Sequence, residues 1–95
     1  MRDYELAIIV SPNIETEGVT AEVEKVSEMV GAINGEVTSV DVWGRRVLAY
    51  AINNNREGTY VLLQAKMPPA GLVELERNLK LSEEIIRYLL VKVES

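Results

Sequence analysis

The chain has 95 residues, 47% of them hydrophobic, which fits one domain, residues 1–95, built round one core. It contains neither cysteine nor histidine, which removes disulfides, thiolate chemistry, Ser-His and Cys-His nucleophile pairs and the commonest transition-metal ligands. The net charge of −5 argues against a non-specific nucleic-acid binder, which normally carries a strongly basic face. Charges are screened beyond roughly 8 Å at physiological salt, so a specific nucleic-acid surface depends on where the ten Lys and Arg gather.

Met1-Arg2-Asp3-Tyr4-Glu5 leads straight into a strand, without the charged start and long apolar stretch of a signal peptide. The runs Leu6 to Val10 and Tyr88 to Val91 are too short to span a membrane, and a soluble protein is expected. From Asp3 to Val10 the residues alternate, with Tyr4, Leu6, Ile8 and Val10 on one face and Asp3, Glu5, Ala7 and Ile9 on the other. This predicts a first strand, ended at Ser11-Pro12-Asn13 because proline lacks a ladder donor.

From about Glu15 to Ile33, the apolar residues Val19, Val23, Val26, Val30 and Ile33 recur at helical spacing. They predict an amphipathic helix with Glu22, Glu24, Lys25 and Glu28 in water. Thr16 is the expected N-cap, and Asn34-Gly35 the expected stop. Glu36 to Ile52 is rich in Val, Trp, Leu, Tyr and Ile. At about 3.3 Å per residue it exceeds an ordinary strand, so a bulge is expected near Gly44. Asn53 to Gly58 reads as a polar hairpin tip, and Thr59 to Met67 as the returning strand, with Val61, Leu63, Ala65 and Met67 on one face. Pro68 and Pro69 open a second helix whose stripe is Leu72, Leu75 and Leu79, and Ile85 to Val93 is the last strand.

The order is β-α-β-β-α-β. It predicts an α+β, ferredoxin-like fold in which two helices cover one face of a four-stranded antiparallel sheet. The first and third strands lie in the middle and the long second strand at an edge.

Catalysis finds no support. The carboxylates sit on the outer face of a helix. Gly31, Gly35 and Gly44 lack the spacing of a phosphate loop, and no calcium-binding loop is present. Neither a cofactor nor a metal is expected. Two nucleic-acid modes are open. Base stacking of the RNA-recognition-motif kind needs aromatics on the open face of the central strands. Tyr4 and Tyr60 are the available rings, and the alternation sets Tyr4 on the more apolar face. Recognition of shape and backbone needs only dispersed cations, and Arg2, Arg45, Arg46, Arg87 and Lys92 are candidates. Arg45 and Arg46 also suit protection of an exposed edge against sheet-to-sheet association. Trp43, between Val42 and Gly44, either folds over the core or joins an apolar patch with Val42 and Val47 that awaits a protein.

Met1-Arg2-Asp3-Tyr4-Glu5, Pro12-Asn13, Gly44-Arg45-Arg46-Val47-Leu48-Ala49-Tyr50-Ala51-Ile52, Gly58-Thr59-Tyr60 and Ile85-Ile86-Arg87-Tyr88-Leu89 together resemble the bacterial small-subunit ribosomal protein six family over essentially the whole chain. The run from Gly44 to Ile52 is its most specific part. The resemblance implies a ferredoxin-like, non-enzymatic, cytoplasmic protein of the ribosome. It implies binding to the central domain of small-subunit ribosomal RNA as a heterodimer with ribosomal protein eighteen. Carried over by position, Arg2, Tyr4, Arg87 and Lys92 are the implied RNA contacts. Arg45, Arg46 and Val47 are the implied partner contacts, with Val42 and Trp43 added on the edge-strand argument. Many members have a further C-terminal tail, and with Ser95 as the last residue no role for such a tail is expected. The competing expectation is a ferredoxin-like module that binds a small ligand or self-associates through its edge strand.

Overall fold

The fold was obtained as a computed structural model that describes residues 1–52 and 55–93. The elements are β1 (Arg2–Val10), α1 (Thr16–Ala32), β2 (Glu36–Ile52), β3 (Asn55–Met67), a 3-10 turn (Pro69–Gly71), α2 (Leu72–Leu81) and β4 (Ile85–Lys92). All strand pairs are antiparallel, and the order across the sheet is β2-β3-β1-β4. The expected order and the expected edge position of β2 are both observed.

The period of two in β1 and β3 decides what the helices cover. Tyr4, Leu6, Ile8 and Val10 pair across to Ala65, Leu63, Val61 and Thr59. With Met67 they form the sheet side of the core, which Val19, Val26 and Val30 of α1, Ile33 just past its end, and Leu75 and Leu79 of α2 close from above. Each aliphatic side chain removed from water here stabilises the fold by roughly 1.5–3 kcal/mol. The opposite face of the sheet carries no helix. Tyr88 extends the closure to the edge, its hydroxyl donating to Glu76 Oε1 at 3.2 Å and so tying α2 to β4. Burial, and then the bond and charge of Glu76, raise its pKa above the usual phenol value.

Helix α1 starts at Thr16 with Glu15 as its N-cap, and no side chain caps it, so the cap lies one residue before the expected one. Its end is as expected. Asn34 adopts φ 66°, its N–H reaches the carbonyl of Gly31 at 3.0 Å, and the N–H of Gly35 reaches that of Val30 at 2.9 Å. Those two bonds satisfy carbonyls that the last turn would otherwise leave open.

Two expectations need correction. Glu22, placed in water by the helical pattern, is only 3% exposed. Its Oε1 pairs with Lys25 Nζ at 3.1 Å and its Oε2 accepts a bond from Ser82 Oγ at 3.5 Å. The polar face of α1 is therefore met by the turn after α2, which a periodicity argument does not contain. The returning strand also begins at Asn55 rather than Thr59, because Arg46 and Val47 pair with Gly58 and Glu57, and Ile52 with Asn55. Asn53 and Asn54, the centre of the expected hairpin tip, lie outside the described residues.

Val26→Asp would place a carboxylate at a site with 0% exposure and should lower the stability by more than about 3 kcal/mol. A urea midpoint equal to that of the parent chain would refute the helix phase. Glu22→Ala removes a buried side chain together with its bonds to Lys25 and Ser82 and should cost about 1–3 kcal/mol, whereas exposed Glu24→Ala should stay within about 0.5 kcal/mol. Paired urea titrations of the two variants check this contrast.

Candidate partner and RNA surfaces

The long β2 has 17 residues, and its pairing with β3 shifts register three times, the last between Val47 and Ile52; the first two shifts set which side chains face which way up to Val47. Val37 pairs with Ala65 but Ser39 with Gln64, and Val42 pairs with Val61 but Gly44 with Tyr60. Thr38 and Trp43 are therefore extra residues, each inserted opposite a partner strand that continues without a break. At the first bulge Thr38 Oγ1 donates to the Gln64 carbonyl at 3.2 Å. At the second, Gly44 takes φ 90°, a conformation that a side chain makes costly. The bulge expected near Gly44 is present, and the one at Thr38 had no glycine or proline to announce it.

Because each bulge reverses the alternation, Val37, Val40, Val42, Arg45 and Val47 share the helix side of the sheet, opposite Ala65, Leu63, Val61, Thr59 and Glu57. The helices do not reach most of this row. Val40, Val42 and Val47 are 44%, 54% and 77% exposed. Beyond Val10, which pairs with Thr59, β3 is paired only with β2, so Val47 rides on a two-stranded ribbon past the end of the core. Between this ribbon and α1, Ile14, Val19, Val42, Gly44, Arg45 and Thr59 line a shallow hollow of about 210 Å³.

Trp43, the bulged residue, is half-exposed and stands outside the core cluster. Its indole N–H donates to Asp41 Oδ2 at 2.9 Å, and Asp41 lies opposite Leu62 on the helix-free face. Trp43 thus sits where the edge turns from one face to the other. Adjacent Arg45 and Arg46 are separated by the pleat. Arg45 donates from Nη2 to the Pro12 carbonyl at 2.8 Å and approaches Glu57 at 3.6 Å, fastening β2 to the loop after β1. Arg46 pairs with Gly58 on the helix-free side and is exposed. Gly58 lacks a side chain for a reason of its own, since a Cβ there would collide with Ile9 Cγ2.

The four residues implied as RNA contacts do not form one patch. Arg2 and Lys92 lie together at one end of the sheet, Arg2 opposite Met67 and Lys92 opposite Tyr4, and both are exposed. Tyr4 has its side chain in the core at 5% exposure, so it offers no ring for stacking. Its place in the ladder is opposite Lys92. Arg87 pairs with Ile9, five residues from Lys92, or about 16 Å along the strand, and on the opposite face of the sheet. Tyr60, the other ring weighed for stacking, is on the helix-free face and partly buried. Sequence reasoning missed Val40, Asp41 and the Pro12 carbonyl. The first two bulges, at Thr38 and Trp43, are what place the first two.

Among the described residues no cluster of three or more acidic side chains could hold a metal ion, and no helix is long and apolar enough to cross a membrane.

The profile of the family described as Ribosomal protein S6 matches residues 3–92. The chain is 45% identical over 94 residues to the small ribosomal subunit protein bS6 of Moorella thermoacetica, covering 99% of this chain and 96% of that protein. It is 43% identical over 95 residues to the bS6 of Campylobacter concisus, where it covers all of this chain and 68% of the longer relative. In three dimensions it is similar to the crystal structure of 30S ribosomal protein S6 from Thermotoga maritima. The TM-score is 0.90 at 30% identity, over 97% of this chain and 87% of the other. This chain belongs to the ribosomal protein S6 family, a structural and non-enzymatic family of the ribosome.

Proposed function

We propose that the chain is a constituent of the small ribosomal subunit that binds the central domain of small-subunit ribosomal RNA as a heterodimer with ribosomal protein eighteen. Family membership supports the ribosomal role. The observation that carries the division of labour is the separation of two surfaces. An apolar strip, Val40, Val42 and Val47 with Trp43, stands exposed along β2, and the adjacent cations Arg2 and Lys92 stand at the far end of the sheet.

The strip has the composition of an interface centre, with aliphatic side chains, one tryptophan and a rim of arginine. The two bulges and the charges of Arg45 and Arg46 suit an edge that must not recruit another sheet before its partner arrives. In the complex Val42, Trp43, Arg46 and Val47 meet the partner directly, and Arg45, already held by Pro12 and Glu57, shapes the hollow beside them. The RNA is met through Arg2 and Lys92 as phosphate contacts, which position without reading sequence. Arg87 serves as a separate contact on the other face, and Tyr4 acts by placing Lys92. With a net charge of −5 the free chain is a poor ligand for a polyanion, and a basic partner corrects that balance.

Gel-shift titration with the central-domain RNA should show weak binding by the chain alone and tight binding with ribosomal protein eighteen. Equal affinity without the partner would sink the proposal. Arg2→Glu combined with Lys92→Glu should weaken the ternary complex by at least about tenfold while the protein heterodimer still forms. Trp43 is the only tryptophan, so its emission reports on the strip. Adding the partner should shift that emission, and an unchanged spectrum on formation of a heterodimer would remove Trp43 from the interface.

A further inference from the structure

The row Val10, Thr59 and Arg45 is the last in which β1 takes part, and past it β3 pairs with β2 alone. Two strands without a third are marginal in water, so the ties between this ribbon and the body decide how firmly Val47 is held. On the helix-free face Gly58 lies so close to Ile9 that a Cβ would meet Ile9 Cγ2. On the helix face one guanidinium crosses the joint. Arg45 Nη2 donates to the Pro12 carbonyl at 2.8 Å, and Nη1 stands 3.6 Å from Glu57 Oε2. Pro12 belongs to the body, whereas Glu57 is the residue opposite Val47 on the ribbon. The body end of this tie is ordered. Ser11, next to Pro12, is buried. Its N–H donates to the Glu84 carbonyl at 2.8 Å, its carbonyl accepts from the Ile14 N–H at 3.1 Å, and its hydroxyl accepts from the Asn13 N–H at 3.3 Å.

We infer that Arg45 and Glu57 are positioning residues for the partner: the guanidinium bridges body and ribbon, and so presents Val47 in the pose the partner needs without itself touching the partner. This rests on the function proposed above and adds how the free chain prepares that surface. The pleat assembles the parts. The bulge at Trp43 puts Arg45 on the same face as Val42, opposite Thr59, and Glu57 is then its diagonal neighbour on β3, a spacing that long side chains bridge. The bridge needs an arginine. A planar fork points separate donors at two acceptors, whereas a lysine is a point charge on one stem. Exposed ion pairs contribute little alone, so the charge-assisted bond to the ordered Pro12 carbonyl is the stronger half of the tie. Val47 is 77% exposed, and its position follows the ribbon backbone. If the ribbon opens in the free chain, the partner binds only the closed fraction, and affinity falls by that fraction.

The test combines amide hydrogen exchange of the free, intact chain with calorimetric titration against ribosomal protein eighteen. Arg45→Lys keeps the charge and loses the fork. It should speed exchange of the protected amides among Arg46, Val47, Glu57 and Gly58 by at least about fivefold, leave those of Leu6 and Leu63 unchanged, and weaken the heterodimer by about tenfold. Glu57→Gln should move both readouts in the same direction by less, and it decides the matter if Arg45→Lys misfolds. The double variant should be no weaker than Arg45→Lys, because both residues act through one bridge. Weaker binding with unchanged ribbon exchange would make Arg45 a direct contact and overturn the inference. Parental affinity in Arg45→Lys would overturn it too, and either result leaves the proposed function standing. A parental chain that does not bind the partner overturns that function and the inference together.

Discussion

Two helices lying on one face of four strands can cover the middle of a sheet but not its rim. In this chain α1 and α2 close over alternate residues of β1 and β3, and the fifteen-residue core cluster draws its strand members from those two central strands and the first residue of β4. The long outer strand supplies no member of that cluster, although Val37 packs against it and Leu48 is buried. Its exposed side chains, Val40, Val42, Trp43 and Val47, are left free for contacts outside the fold. A strand in the middle of the sheet could not carry Val42 and Val47 exposed on the side that the helices cover.

The bulges turn this surplus into a shaped surface. An unbroken pleat would set Val37, Trp43, Arg45 and Val47 on one face and Val40, Val42, Gly44 and Arg46 on the other. With Thr38 and Trp43 inserted, four valines and Arg45 fall on the same side, and Arg46 goes to the opposite one. Each insertion also breaks the row of backbone donors and acceptors along the edge, which discourages a second sheet from adding to it. The same local device thus gathers the apolar strip and protects it. Gly44 at φ 90° makes the second bulge inexpensive, and Arg45, bonded to the Pro12 carbonyl, holds the strand on the side where the hollow forms.

Most of the architecture was legible because it rests on local periodicity. The alternation in β1 and β3, the stripe of α1 and the stop at Asn34-Gly35 all follow from spacing and backbone preference. What was not legible depends on contacts between distant segments. Glu22 looks like any exposed glutamate until Ser82 arrives from sixty residues further along the chain. Asn55 to Gly58 has the composition of a turn, and only the demand of a long β2 for a pairing partner draws it into β3. The candidate surfaces divide in the same way. The edge position of the Val42–Val47 stretch followed from topology, whereas its faces required the register. The implied RNA residues came as a set, and the fold separates them by burial for Tyr4 and by distance for Arg87.

A small acidic protein that works beside RNA faces a conflict between solubility and binding. Its charge keeps the free chain apart from other copies and from nucleic acid, and that same repulsion must be overcome on assembly. The fold resolves the conflict by position. Arg2 stands at the start of β1 and Lys92 at the end of β4, both on the helix side of the sheet, while Asp3, Glu5 and Glu36 lie on the other face at the same end. On the proposed function, a basic protein that covers the β2 edge adds its own cations to the pair. The cost of placing a phosphate near Arg2 and Lys92, the proposed RNA contacts, would then fall. On that proposal, affinity for RNA is conditional on the partner through electrostatics, with no need for a conformational change in the sheet.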